Sequence, residues 1–223
     1  MSGELEVFLS PMLSEVGVQG PDRPAWVRLE KLAELWLRYG RVMNLTSAKT
    51  FMELAPHVLE AVLAVELARR QGLRNGVRWL DVGSGAGFPG LVIAALLEVE
   101  LTLVEPRERR ASFLEVALAQ INRPGRVLRG HIDQESWRPV GGDEPQLQTP
   151  VPGSFDVVSA RAVFSLESWL AIGSAWVAPE GFVFAHATRS VEPSLREISL
   201  QSLCFDQWSV IVFEARKLRN KWG

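Results

Sequence analysis

The sequence predicts an α/β fold: a mostly parallel sheet with helices on both faces, preceded by an N-terminal helical extension. Three observations predict it. Apolar runs of strand length recur from residue 77 onward, with helical stretches between them. The first third of the chain instead repeats its apolar residues at helical spacing. A glycine-rich turn joins the first strand-like run to the next helix, as in a parallel βα unit. The 223 residues suffice for one sizeable core and an appendage. We assign residues 1–75 to the extension and 76–223 to the core.

The elements follow in order. Leu5, Phe8, Leu9, Met12, Leu13 and Val16 form an apolar helical stripe interrupted by Pro11, with Ser10 as a candidate cap. This fits either two short helices or one kinked helix. A turn-rich break precedes a helix over 25–39, where Leu29, Leu32, Leu35 and Trp36 share a face and Gly40 supplies the stop. Leu59, Leu63 and Leu67 keep register in a helix over 54–71, closed by Gly72. Strands are expected at 77–82, 101–104, 126–128, 155–159 and 182–185, with helices at 91–97 and 109–120. Residues 203–205 and 209–213 fit a terminal antiparallel pair. Residues 139–153, rich in Pro, Gly and Gln, read as a surface loop.

Composition narrows the function classes. Hydrophobic residues make up 47% and charged residues 22%, ordinary for a soluble globular chain. Lys and Arg number 24 against 26 Asp and Glu, so the overall field does not attract nucleic acid. Such a partner must meet a local basic patch. The single cysteine, Cys204, excludes an internal disulfide and a Cys-rich zinc site. No metal site is expected. The first residues lack a basic run followed by an apolar core, and no apolar stretch is long enough to span a bilayer. A cytoplasmic protein without a membrane or disulfide partner is expected. The eight Trp read as packing residues.

The stretch from Asp81 to Gly90 carries the chemistry. A strand, a glycine turn and a helix start present backbone N–H groups and let a ligand approach the main chain closely. Gly85, Gly87 and Gly90 satisfy G-x-G-x-x-G, which alone would also fit a dinucleotide. The glycine string begins earlier, however, at Gly83, with Asp81 two positions before it. That acid-x-Gly-x-Gly pattern is common in methyltransferases. Their methyl donor carries no phosphate, and an acid near the loop can help hold its ammonium group. Glu105 ends the second strand about twenty residues beyond the loop, where an acid accepts ribose hydroxyls.

Together with that loop, Asn44-Leu45-Thr46-Ser47, the helix bearing His57, Phe155-Asp156-Val157-Val158-Ser159-Ala160-Arg161-Ala162 and Pro179-Glu180-Gly181 occur in a telling order. In these features the chain from about residue 30 resembles the RsmG (GidB) family, bacterial methyltransferases acting on a guanine N7 in 16S ribosomal RNA. The resemblance implies a Rossmann-like class I methyltransferase fold with S-adenosyl-L-methionine as cofactor. The implied partner is 16S ribosomal RNA or the small-subunit particle. Cofactor-binding candidates are Asp81, Gly83, Ser84, Gly85, Phe88, Glu105, Ile132, Asp133 and Arg161, with Ile132 and Asp133 flanking the adenine. Arg161 and His57 are the candidates for positioning the substrate. The chain departs from the family pattern at Pro56, Glu60, His131 and His186-Ala187. At His131 and His186 the family carries cations, so those two positions bear on RNA engagement. Two other readings keep the fold: a divergent methyltransferase for another RNA or a small molecule, and a non-catalytic RNA-binding protein.

Guanine N7 has an in-plane lone pair and no proton, so the implied reaction needs no general base. Arg107, Arg109 and Arg110, and Arg216, Lys217, Arg219 and Lys221, could meet phosphate or form solvated helix faces.

Overall fold

A computed structural model describes residues 3–141, 149–188, 191–206 and 208–222. Three helices come first: α1 (Glu4–Glu15), α2 (Arg23–Met43) and α3 (Phe51–Arg70). The alternating part runs β1 (Arg78–Val82), α4 (Gly90–Leu96), β2 (Glu100–Val104), α5 (Glu108–Gln120) and β3 (Arg126–Leu128). A small hairpin follows, β4 (Gly130–Ile132) and β5 (Trp137–Pro139). The chain then forms β6 (Phe155–Ala160), α6 (Leu166–Trp176), β7 (Val177–Thr188), α7 (Pro193–Ile198), β8 (Gln201–Phe205), β9 (Trp208–Glu214) and α8 (Ala215–Trp222).

The main sheet has seven strands in the order β3-β2-β1-β6-β7-β9-β8. Its first five strands are parallel, and β9 pairs antiparallel with both β7 and β8. The chain winds outward from β1 to β3, then crosses to β6 on the other side of β1. That reversal is a topological switch point, where open α/β sheets form their ligand crevice. Register brings the ends together: Val82 stands opposite Val104 on one side and Ala160 on the other. The segments leaving β1, β2 and β6 therefore start level.

Strand alternation builds two cores. Trp79, Leu101, Leu103, Val157 and Phe184 face one side, packed with α3, α4 and α5. Leu80, Val82, Val104, Val158 and Val183 face the other, against α6, α7 and α8. The N-terminal helices share the first core, and α3 touches both α4 and β9. This helix is buried over most of its length, from Leu54 to Ala68, and Glu60 is the charged residue among those buried positions. Side-chain caps fix the starts of α2 and α3. Asp22 accepts from Ala25 N–H (2.8 Å) at α2, and Thr50 accepts from Glu53 N–H (3.2 Å) at α3.

Several expectations need correction. Residues 4–15 form one helix with Pro11 inside it, so Ser10 is no cap. Gly40 does not end α2. The helix runs on to Met43 and stops at Asn44 in the left-handed conformation (φ 50°), which a short polar side chain tolerates. A Cβ at Gly40 would come within 3.3 Å of Thr46 Cγ2, so glycine there serves close packing of the following loop. The fifth strand is far longer than 182–185, and α6, α7, α8 and the β4–β5 hairpin were not foreseen. Of the expected 139–153 loop, residues 142–148 lie outside the described residues. Among the described residues no helix is long and apolar enough to cross a membrane.

Candidate active site

The glycine loop leaves β1 with Gly83, Gly85 and Gly87 all in the left-handed region. At Gly83 (φ 68°) a Cβ would also overlap Val163 from the segment after β6. At Gly90 a Cβ would overlap Leu103 and reach within 2.8 Å of Asp81 Oδ2. Glycine there lets the first turn of α4 sit on the carboxyl below it. The loop is held from several sides. Ser84 N–H donates to Val104 O (3.0 Å), and Gly85 N–H donates to Glu105 Oε2 (2.9 Å). Trp36 of α2 donates its indole N–H to Ala86 O (2.7 Å), and its ring stacks on Phe88 at 4.2 Å between centroids.

Beneath the loop lies Asp81, 1% exposed. Trp79 donates to Ser159 Oγ (2.9 Å), and Ser159 donates in turn to Asp81 Oδ1 (2.8 Å). Asp81 Oδ2 is buried with no hydrogen-bond partner among the described residues. Burial pushes the carboxyl up to about 6, against the Ser159 hydrogen bond.

Beside the loop stands a second polar group. Glu60 of α3, 4% exposed, accepts from Arg161 Nε (2.8 Å) and from His186 Nδ1 of β7 (2.8 Å). Burial alone would raise its pKa. The hydrogen bond and charge of His186, with those of Arg161, more than offset that and hold it low. Arg161 also donates from its NH2 to His57 Nδ1 (2.8 Å), and its guanidinium lies 5.8 Å from the Phe88 ring centre. Burial and the Arg161 charge lower the His57 pKa, opposed by Glu60.

Two cavities open on these groups. One, of about 310 Å³, is lined by residues 45–47, His57, residues 83–86, Phe88, Arg110 and residues 161–163. The other, of about 260 Å³, is lined by Val82, Gly83, Val104, Pro106, the hairpin residues 130–133, Arg138 and Ile172 among others. They meet at Gly83 and Val163. A larger cavity, about 660 Å³, lies at the opposite end of the sheet, near Arg78, Glu100 and Arg126 at the strand starts. Size does not make it the site, because ligands of open α/β sheets bind beyond the carboxyl ends of the strands.

Residues 26–217 match the family model described as GidB, rRNA small subunit methyltransferase G. The chain belongs to the GidB family. Family relatives named Ribosomal RNA small subunit methyltransferase G include one of Brucella ovis, 31% identical over 207 residues, covering 87% of this chain and 88% of the relative. One of Zymomonas mobilis is 32% identical over 150 residues, covering 62% and 61%. Two solved structures show the same fold, and at their identity show the fold alone. One is a 16S rRNA N2 methyltransferase (RsmC) of T. thermophilus with AdoMet and guanosine (TM-score 0.51, 20% identity, 71% of this chain and 43% of that one). The other is a mutant of MtNAS with S-adenosylmethionine (TM-score 0.52, 16% identity, 94% and 77%).

In this GidB family chain the expected site residues fall into two sets. Gly83, Ser84, Gly85, Phe88, His57 and Arg161 line the first cavity, while Ile132 and Asp133 line the second. Asp81 and Glu105 line neither. Glu105 is 3% exposed, with Oε2 on Gly85 and Oε1 accepting from Arg107 N–H (2.8 Å). Asp133 is tied into its own turn, accepting from Glu135 and Ser136 N–H and pairing with Arg138 (3.0 Å). His131 is exposed on the hairpin, whereas His186 is buried against Glu60. His186 is thus an internal partner of Glu60 and not a surface group. Sequence reasoning missed Trp36, Ser159 and Val163 as parts of the site. Trp36 carries an ordinary core periodicity, Ser159 stands in the 155–162 stretch with no signal that its hydroxyl meets Asp81, and nothing local marks Val163.

Proposed function

We propose that the chain is an S-adenosylmethionine-dependent methyltransferase that methylates N7 of a guanine in 16S ribosomal RNA, free or in the small-subunit particle. The observation that carries this reading is the convergence of the glycine loop and the Glu60–Arg161–His57 group on one cavity at the switch point. We infer a cytoplasmic location from that substrate.

The residues fit the cofactor. The second cavity offers an apolar wall, with Val104, Ile132 and Ile172, suited to a flat heteroaromatic ring. Glu105 keeps acceptor capacity beyond its two backbone bonds, since an ionised carboxylate offers about four lone-pair sites. Gly83 lines both cavities and leaves the main chain uncovered by a side chain where they join. Asp81 lies one layer below them and contributes negative charge toward a cationic ligand through the loop.

S-adenosylmethionine, when bound, supplies a methyl group on a positively charged sulfur. Guanine N7 attacks with its in-plane lone pair and has no proton to lose, so the protein has no base to supply. Its task is to hold N7 in line with the methyl group. Arg161 and His57 are the substrate-positioning pair. Glu60 offsets the Arg161 charge, which would otherwise oppose the positive charge gained by the base. Arg110 stands at the cavity rim, within reach of a phosphate.

Titration calorimetry with S-adenosylmethionine and with NAD tests the cofactor directly. Binding of the first and not the second is expected. Binding of NAD alone would overturn the reading.

A further inference from the structure

The geometry points to His57 as the residue that distinguishes guanine from adenine, by donating its Nε2–H to O6 of the base. This inference rests on the methyl-transfer reading above and names the recognition that reading lacks.

A guanidinium can only donate hydrogen bonds. Arg161 NH2 stands 2.8 Å from His57 Nδ1, so Nδ1 is the acceptor and carries no proton. Burial and the Arg161 charge both disfavour a second ring proton, Glu60 notwithstanding. The imidazole is therefore neutral, with its proton on Nε2. Among the described residues that nitrogen has no partner, and it is not sealed in the interior. His57 lines the 310 Å³ cavity, so a donor of fixed identity faces it. The ring is also held in place. Arg161 is anchored by Glu60 at 2.8 Å, and Phe88 packs against the imidazole at 5.8 Å between centroids.

The base edge that carries N7 differs between the purines at one neighbouring group. Guanine presents O6, an acceptor; adenine presents an amino group, a donor. Once N7 is committed to the methyl group, only that neighbour is left on this edge to read. A fixed N–H satisfies O6 and confronts the adenine amino group donor to donor. Against adenine the cavity offers no charged acceptor among the described residues, only neutral groups such as the Thr46 and Ser47 hydroxyls. No carboxylate is among the described residues lining it, and the Glu60 oxygens are occupied by Arg161 and His186.

The test uses small-subunit particles reconstituted on 16S RNA carrying guanine or 2,6-diaminopurine at the methylated position. The second base keeps N7 and replaces O6 with an amino group. The full-length wild-type protein should methylate guanine roughly tenfold to a hundredfold faster in kcat/KM. His57→Leu should be slower on guanine by a similar factor, and its preference should fall to within about threefold. His57→Gln, which can place an amide N–H near the Nε2 position, should keep most of the preference. Calorimetric cofactor affinity shows whether each variant is folded, and His57→Gln decides the matter if His57→Leu is not. An undiminished preference in His57→Leu, loss of preference in a folded His57→Gln, or a wild-type protein that methylates both bases alike, overturns the inference alone. A wild-type protein that transfers no methyl to guanine N7 overturns the underlying reading, and the inference with it.

Discussion

At the scale of single residues, two buried carboxylates of the site, Glu60 and Asp81, shift in opposite directions. Glu60 is held ionised by Arg161 and His186, both at 2.8 Å. Glu60→Gln removes the charge and leaves Arg161 half-buried without its counter-ion. Breaking one side of such a buried pair costs about 3–5 kcal/mol. A denaturant titration should show that loss, and an unchanged midpoint would contradict it. Asp81 behaves in the reverse sense. Its folded pKa, about 6, lies above the ordinary 3.8. Below pH 3.8 the group is protonated in both states and has no effect. Between roughly pH 4 and 6 the folded protein holds a proton that the unfolded chain has released, so stability falls as pH rises, by about 3 kcal/mol in all. Asp81→Asn removes this dependence. The melting temperature of Asp81→Asn relative to wild type should rise by several degrees between pH 4.5 and 7.5. Parallel pH curves for the two proteins would refute the assignment.

At the scale of elements, the site is a junction of three strand ends with a loop packed between α2 and the segment after β6. Gly83 is a tight point of that loop, constrained both by φ and by Val163, as Gly87 is by φ and Leu91. Gly83→Ala should weaken cofactor binding about tenfold or more, since the left-handed conformation costs an alanine about 1–2 kcal/mol before any clash. Adding Val163→Ala should recover the steric part only. Full recovery in calorimetry would show that backbone conformation is irrelevant there. Much of this architecture was legible in the sequence. β1, β2 and β6 are buried on both faces over most of their length and read as mainly apolar runs, broken within by Asp81, Thr102, and Asp156 and Ser159. The loop is legible because its glycines answer to backbone conformation. α6 was hidden because it runs into β7 without a break, Trp176 to Val177, and one apolar stretch conceals two elements. β4 and β5 are three residues each, too short for a period to register. The Glu60–Arg161–His186 contacts join positions 101 and 126 residues apart, which no local pattern encodes. Their one local trace is an acid among the apolar residues around Leu59 and Ala61 of α3.

At the scale of the whole molecule, the N-terminal helices and the sheet share one core. Leu5, Leu29, Leu59, Trp79 and Phe184 belong to the same buried cluster. We propose that the division between residues 1–75 and 76–223 is architectural and that the two parts unfold together. Circular dichroism and tryptophan fluorescence should give coincident transitions, and two separated transitions would contradict this. The same arrangement links fold to function, because α2 supplies Trp36 to the loop and α3 supplies Glu60 and His57 to the cavity. The most direct test of the account is to incubate small-subunit particles lacking the modification with this protein and S-adenosylmethionine, then map the methyl group in 16S RNA. The account predicts 7-methylguanosine at a single guanine. A methyl group on another atom of the base, or none in the RNA, would contradict it.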